Sequence, residues 1–485
     1  MTARRLPTQG TLWLLLGLAG AHAAGQAPAQ ETPEQRLQRL SAAVAQVQAQ
    51  MGAYQAQLLE LQKQLAALQA EMSAQNASQS TPSAPASPAL EEIRERQAIT
   101  ESEIATHEQS KVETESKYLV KLNGLILFNG FINTRQVDDP IDPTYAVSGG
   151  GTTGFSVRQT ILGLDANGPH LFGAGSHADL NVDFFANGSQ ATYGASGILR
   201  LRTAHAGLQW KNTKAFFSLD RSLLAPNVPT SLVSTAQPNL SWSGDLWTWN
   251  PQIGLTHDLA LTGANRLRLQ GALIDVQDPL LPNTTSTATV TRAQRSRWPG
   301  LESRIAYASG EPGVGPEIGV GGYFSEHSTS GGYKFDAWAI SGDLRLPIGR
   351  HFELTSNVYR GAGLGGLGGG GYVDYYYPIG SNDNAHALND VGGWLQAKLR
   401  ASERLQFNGG FGIDNPFAAN IRNSMVMPGT SYTGLTRNRA AYGNVIVSPS
   451  RYLIFSLEYR RLMTDYYGSS TRFSDAIGIA AGYRF

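Results

Sequence analysis

"SHADLNVDFFA", residues 176–186, sets Ala178, Leu180, Val182, Phe184 and Ala186 at every second position, with His177, Asp179, Asn181 and Asp183 between them. Successive side chains of a strand point to opposite faces, so one face here is apolar and the other polar. "DAWAISGDLRLP", residues 336–347, repeats the device: Trp338, Ile340, Leu344 and Leu346 alternate with Ser341, Asp343 and Arg345. The last stretch, "DAIGIAAGYRF", residues 475–485, sets Ile477, Ile479, Ala481 and Tyr483 against Gly478, Ala480, Gly482 and Arg484, and ends on Phe485. Each run is about the ten residues with which a tilted strand crosses a bilayer. A soluble sandwich alternates as well, so the period alone leaves both folds open.

The connections separate them. Sixteen alternating segments follow one another, at 119–133, 154–166, 174–186, 197–210, 214–221, 251–260, 266–276, 300–309, 316–327, 334–346, 352–361, 391–401, 404–414, 439–448, 452–464 and 473–485. Short turns such as "KNT" at 211–213 alternate with long connections at 222–250, 277–299, 362–390 and 415–438. An even strand number with turns short at one end and long at the other is the pattern of an outer-membrane barrel. The expected fold is therefore an all-β transmembrane barrel of sixteen antiparallel strands over 118–485. Closure removes every sheet edge and leaves a lumen too wide for side chains to fill, so a water-filled channel follows.

Composition agrees with this reading. Charged residues make up only 16% of the 485, Gly numbers 54 and Tyr 19, a balance that suits strands and turns. Lys and Arg equal Asp and Glu at 38 each, so no global charge selects nucleic acid as a partner. Residues 1–24 read as a secretory signal, with Arg4 and Arg5, the apolar "TLWLLLGLAG" and the small "AHA" at 21–23. The chain contains no Cys, so disulfides cannot brace it in an oxidising compartment.

Ahead of the barrel, Leu37, Leu40, Val44, Val47, Met51, Tyr54, Leu58, Leu61, Leu65, Leu68 and Met72 recur at alternating three- and four-residue spacing. That seam predicts an α-helical coiled coil over 31–72, an oligomerising stalk whose strand number the seam residues do not choose. A Ser/Ala/Pro linker occupies 73–89 and a weak helical segment 90–116.

The polar parity of the strands supplies the lumen. Its candidate charges are Arg200, Arg202, Arg266, Arg268, Arg304, Arg345 and Lys398, facing Asp179, Asp183, Asp220, Glu302, Asp343, Glu353 and Glu458. A basic row in a narrow pore concentrates anions, and an opposed acidic row orients dipolar solutes; mixed charges that only pair with one another would select nothing. In "LRLRTAHAGLQW" the arginines share parity with Ala204, Leu208 and Trp210, so a bulge near 203 is needed for both halves to face sensibly. The 29-residue connection 222–250 carries Trp242, Asp245, Trp247 and Trp249 and is expected to fold into the barrel and narrow it. "GAGLGGLGGGG", 361–371, formally matches a nucleotide loop, but no helix opens after it, and an external mobile loop is expected instead. "DDPID", 138–142, reads as a solvated acidic turn. No HExxH, paired-Cys site or nucleophile elbow appears, so no catalytic residue, metal or cofactor is assigned.

Several stretches carry a family resemblance: "KLNGLILFNGFIN", "ADLNVDFFANG", "LRLRTAHAGLQWKNT", "PTSLVSTAQPNLSWSGDLWTWNPQI", "GLGGLGGG", "GGWLQAKLR", "FGIDNPF", "LEYRRL" and the closing "GYRF". In this order they resemble the DcaP-like trimeric outer-membrane porins, relatives of the phosphate-selective porins O and P. The resemblance implies a homotrimer of sixteen-stranded barrels in outer-membrane lipid, a constricting third loop, a periplasmic stalk and diffusion of small, often anionic solutes. Arg200 and Arg202 match the family's "RLR" tract and become the first choice for pore arginines. The chain departs where relatives often read "HAY", having Thr203, Ala204 and His205, and at Trp249, where Arg is expected. The closing strand, with Tyr483 and Phe485, resembles the signal by which barrels are recognised for outer-membrane assembly. The expected function is passive diffusion of small hydrophilic solutes through an outer-membrane porin. The alternative is a structural envelope protein whose stalk binds peptidoglycan or a periplasmic partner.

Overall fold

The structure is a computed structural model and describes residues 111–112, 120–186, 197–279, 290–380, 384–425, 432 and 434–485. The signal, coiled coil, linker and helical segment expected over 1–110 lie outside the described residues.

Sixteen antiparallel strands close on themselves. They are β1 (Val120–Val137), β2 (in two segments, Ala146–Ser156 and Ile161–Leu171), β3 (Ala174–Asp183), β4 (Arg200–Gln209), β5 (Thr213–Asp220), β6 (Asn250–Ala260), β7 (Asn265–Ile274), β8 (Gly300–Ser309), β9 (Glu317–Ser328), β10 (Lys334–Ile348), β11 (Phe352–Ala362), β12 (Asn389–Ser402), β13 (Leu405–Pro416), β14 (Leu435–Val447), β15 (Leu453–Tyr466) and β16 (Arg472–Arg484). Every strand pairs with its neighbours in sequence, and β16 returns to β1 through pairs such as Leu127↔Gly482 and Ile132↔Ile477. The two segments of β2 both pair with β1, so they form one strand interrupted at 157–160. That strand begins earlier than the expected 154 because the alternation of "AVSGGGTTGFS" is hidden by its glycines.

Burial is inverted relative to a soluble protein. Leu301, Ile305 and Tyr307 of β8, Ile318, Val320 and Phe324 of β9, and Ile340, Leu346 and Ile348 of β10 are exposed on the outside. Glu302, Arg304, Asp343, Glu458 and Arg460 are buried on the inside. The apolar side chains can leave water only if the surrounding solvent is itself apolar, which is the arrangement a bilayer selects.

The closing strand follows the same rule, with Ile477, Ile479, Tyr483 and Phe485 exposed on the outer face. Phe485 extends the ladder beyond β16: its N–H donates to the Gly124 carbonyl (3.2 Å) and its carbonyl accepts from the Gly124 N–H (3.1 Å). Its ring fills the space over Gly124, where a Cβ would stand 2.7 Å from the ring edge. Deleting Phe485 opens the seam at its last rung, and the expected result is a several-fold lower yield of folded barrel in outer-membrane fractions, with normal single-channel conductance in the barrels that assemble. Unchanged yield would remove this role.

Candidate functional site

The connection between β5 and β6, residues 221–249, folds into the barrel. Leu224, Ala225, Ala236, Leu240, Ser243 and Asp245 are completely buried. Polar side chains of the wall hold it at five places. Ser222 Oγ and the Leu223 N–H donate to Glu302 on β8 (2.5 and 3.0 Å), and the Thr230 N–H donates to Gln396 Oε1 on β12 (2.6 Å). Ser231 Oγ donates to Glu458 on β15 (2.6 Å), and Asn438 Nδ2 on β14 donates to the Trp242 carbonyl (2.9 Å). The fifth hold comes from the break in β2, where Gln159, fully buried, donates to the Val233 carbonyl (2.8 Å) and accepts from the Thr235 and Ala236 N–H groups (2.7 and 2.9 Å). A loop lacking its own ladder can be buried only if its backbone groups find such partners. The Arg221–Asp245 ion pair (2.5 Å) ties the two ends of the loop together.

Of the aromatic residues expected to form the constriction, only Trp249 is half-exposed. Trp242, Asp245 and Trp247 are buried and act inside the loop's own packing. Trp242 stacks on Tyr372 with centroids 3.6 Å apart, and Trp247 meets Trp249 edge-on at 5.0 Å.

The glycine-rich stretch 361–371 is not an external mobile loop: it is buried throughout. Gly368, at φ 101°, lies so close to the constriction loop that a Cβ would stand 2.5 Å from the Trp247 nitrogen. The Gly370 N–H donates to Asp390 (2.8 Å) and the Gly371 N–H to Asp414 (2.7 Å), while Tyr359 also donates to Asp414 (2.6 Å). Glycine here serves close backbone approach and a left-handed turn, not mobility.

In the acidic turn 138–142, Asp139 and Asp142 are buried rather than solvated, and Asp138 is partly covered. Asp138 accepts from the Thr144 and Tyr145 N–H groups (2.8 and 3.0 Å), and Asp142 accepts from the Gln237 N–H of the constriction loop (2.8 Å) and lies 3.9 Å from Arg460. Burial pushes the Asp142 carboxyl up to about 7, against the pull of the Arg460 guanidinium, and Asp138 up to about 6. Among the described residues no three His, Asp or Glu side chains gather as a metal site.

The loop fills one side of the lumen only. Along β8–β11 the strands alternate buried and exposed residues, because loop and connections cover their inner face. Along β3, β4, β5 and β7 residues of both parities are mostly part-exposed, so both faces of this wall meet an open space. The polar parity of β3–β5 therefore lines the free part of the lumen.

On this open wall stand Arg200 and Arg202. The pairing jumps from Val182↔Leu201 to Asn181↔Thr203, leaving Arg202 as the extra residue of a bulge. Arg200 and Arg202 share a side by ordinary alternation and the bulge reverses the parity after them, so Leu201 above it and Ala204, Ala206 and Leu208 below it share the outer face. Both arginines bind one carboxylate: Arg200 to Asp183 at 2.6 Å and Arg202 to Asp183 at 2.8 Å. Asp183 is wholly buried beneath them, whereas the arginine side chains keep 22% and 14% exposure. Both guanidinium groups also lie against the Trp249 ring, at 4.9 and 5.0 Å from its centroid. An indole face attracts cations without cancelling their charge, so two positive charges held by one carboxylate leave a net positive patch. Arg200 Nη2 also donates to the Ala236 carbonyl (2.8 Å), fastening the patch to the loop.

Below it, His205 is clamped between Asp179 (Nδ1, 2.7 Å) and Asp220 (Nε2, 2.9 Å). An imidazole facing a carboxylate with each nitrogen satisfies both only as a doubly protonated ring, and the trio then carries a net negative charge. Thus the departure at Thr203–His205 places an acidic layer next to the basic one.

Several of the remaining expected lumen charges are paired towards the short-turn end. Arg268 binds Asp258 (2.8 Å), Arg345 lies 3.5 Å from Glu317, and Lys398 binds Glu353 (2.8 Å). Arg304 forms a bidentate pair with Asp343 (2.6 and 2.8 Å) and also reaches Glu317 (2.8 Å). Arg304 and Asp343 are buried, so they stiffen the wall rather than meet solute. Gln159 escaped sequence reasoning, since a lone Gln in a short break carries no signal.

No protein-family model matches the sequence, and no curated protein matches it. Among solved structures, the outer-membrane channel DcaP of Acinetobacter baumannii is similar, with a TM-score of 0.60 and 14% identity over 78% of this chain and 100% of that one. An anion-selective porin from Comamonas acidovorans gives 0.47 and 11% over 76% and 100%. OprB of Pseudomonas putida gives 0.45 and 10% over 75% and 94%. The chain has the fold of the DcaP channel.

Proposed function

We propose that this chain is an outer-membrane porin through which small hydrophilic solutes diffuse passively, with a preference for anions at the Arg200–Arg202 level. One observation carries the reading: a closed barrel with an apolar exterior keeps a polar, solvent-accessible strip along β3–β7 while an inserted loop fills the rest of its lumen. A barrel serving only as an anchor has no need of that strip. Solute passes the basic patch formed by Arg200, Arg202 and Trp249, then the layer of Asp179, His205 and Asp220, driven by its own gradient. The trimeric assembly and the periplasmic placement of the stalk belong to the same proposal and rest on the resemblance and the heptad seam.

The test is current through planar bilayers containing the purified full chain. Discrete open steps with a reversal potential favouring chloride over potassium are expected. A barrel that inserts, migrates as a folded species and yet conducts no ions would overturn the porin reading.

A further inference from the structure

At the long-loop end, the turn between β15 and β16 faces the hairpin between β1 and β2 across a cavity of about 590 Å³. Arg135, Ser148, Ser469, Ser470, Thr471 and Arg472 supply its polar lining. Arg135 sits opposite Ser474: its N–H donates to Ser474 Oγ (3.3 Å), which in turn donates to the Arg135 carbonyl (2.9 Å). Arg472 lies two residues before Ser474, at the start of β16, so the two arginines are diagonal neighbours on the same face of adjacent strands.

Neither has a carboxylate partner among the described residues. The acids nearby in sequence are engaged elsewhere, Asp475 with Arg461 (3.4 Å) and Asp465 with Arg437 (2.5 Å) and Arg439 (3.4 Å). Arg472 instead lies 3.9 Å over the Tyr466 ring, which orients its guanidinium and leaves its charge intact. Two guanidinium groups that lack a carboxylate among the described residues and line one cavity concentrate an anion there. Guanidinium groups match phosphate oxygens in a planar, two-pronged geometry. The hydroxyls of Ser148, Ser469, Ser470 and Thr471 suit a neutral polyol, and the cavity is within the range of roughly 300–1,000 Å³ typical of small-molecule sites.

We propose that this rim pocket binds a phosphorylated sugar, its phosphate between Arg135 and Arg472 and its hydroxyls on the serine-rich turn. The chemistry is common to a free sugar phosphate and to the headgroup of a phosphorylated glycolipid, and it is independent of whether the barrel conducts.

The full chain in detergent micelles is titrated by calorimetry with glucose 6-phosphate, with glucose as the control. In parallel it is mixed with bis-phosphorylated lipid A or its dephosphorylated form, and retained lipid is counted by native mass spectrometry. At least one phosphorylated probe binds in preference to its phosphate-free counterpart. R135A/R472A weakens that binding about tenfold or more, as expected when two charge-assisted contacts are lost, and R135K/R472K keeps a larger share of it. Binding of glucose 6-phosphate alone assigns the site to soluble solutes; binding of lipid A alone assigns it to the membrane. Because both arginines stand at the rim, heat-modifiable gel migration of the variants should match the parent. Failure of both probes to prefer the phosphorylated form, or undiminished binding by a folded R135A/R472A barrel, overturns the proposal.

Discussion

R200Q/R202Q shifts the anion-to-cation permeability ratio about a hundredfold towards cations. The variant removes the two positive charges that Arg200 and Arg202 set on Asp183, and so shifts the charge of this level by two units, leaving Asp183 to the Phe185 N–H and the neighbouring Arg158. A unit charge about 6 Å from a passing ion in a water-like dielectric is worth ~0.7 kcal/mol, so two units shift an anion and a cation by ~1.4 kcal/mol each in opposite directions, a factor of about ten for each and about a hundred in their ratio. The reversal potential in a salt gradient across a planar bilayer measures it. Adding D183N removes the remaining carboxylate charge and should restore part of the shift; it also removes a buried carboxylate that has lost both ion-pair contacts and keeps the Phe185 N–H (3.0 Å), which costs the double variant stability. A reversal potential that stays put in both variants would mean that the arginines only brace the wall. W249A separates the two roles further, because it frees both guanidinium groups without changing charge and should alter selectivity much less than R200Q/R202Q.

Replacing residues 226–240 by a short Gly/Ser linker raises single-channel conductance several-fold and flattens the preference between ions. This segment occupies the side of the lumen facing β8–β16, and its removal exposes wall groups such as Glu458, Gln396 and Asn444 that are polar and accept water in its place. The barrel should persist, since its strand pairing does not run through the loop. A milder version is G244V. Gly244 has φ 103°, and a Cβ there would stand 2.1 Å from the Gly393 carbonyl, so a branched side chain lifts the loop's return arm from β12. Conductance traces of both variants give the comparison; values equal to the parent's would show that the loop does not limit flow.

The strand count and the closed barrel were legible because a bilayer imposes a periodic pattern on every segment that crosses it. "DAWAISGDLRLP" could satisfy lipid outside and water inside only with Trp338 and Ile340 turned out and Ser341 and Asp343 turned in, and the structure has them so. The bulge near 203 was readable for the same reason, since without it Arg202 and Leu208 would share a face; the structure sets it at Arg202. Inside the barrel that logic stops. A polar lumen residue has the same sequence signature whether water, a loop backbone or another side chain satisfies it. Asp142 looked like a solvated turn and is a buried acceptor for the Gln237 N–H; the glycines of 361–371 looked mobile and are packed against Trp247.

Thus alternation and turn length, both local, determined the sixteen-stranded barrel, the parity of its faces and the long connection that carries three tryptophans. Which lumen charges meet solute is a long-range matter. It was decided by the loop 221–249 covering β8–β16 and leaving β3–β7 open, so that Glu302 and Glu458 are buried against the loop while Arg200, Arg202, Asp179 and His205 line the free space. The physical reason is that burial of a charge depends on what crosses the barrel to reach it, and those contacts join residues far apart in sequence, as Ser231 meets Glu458 and Thr235 meets Gln159.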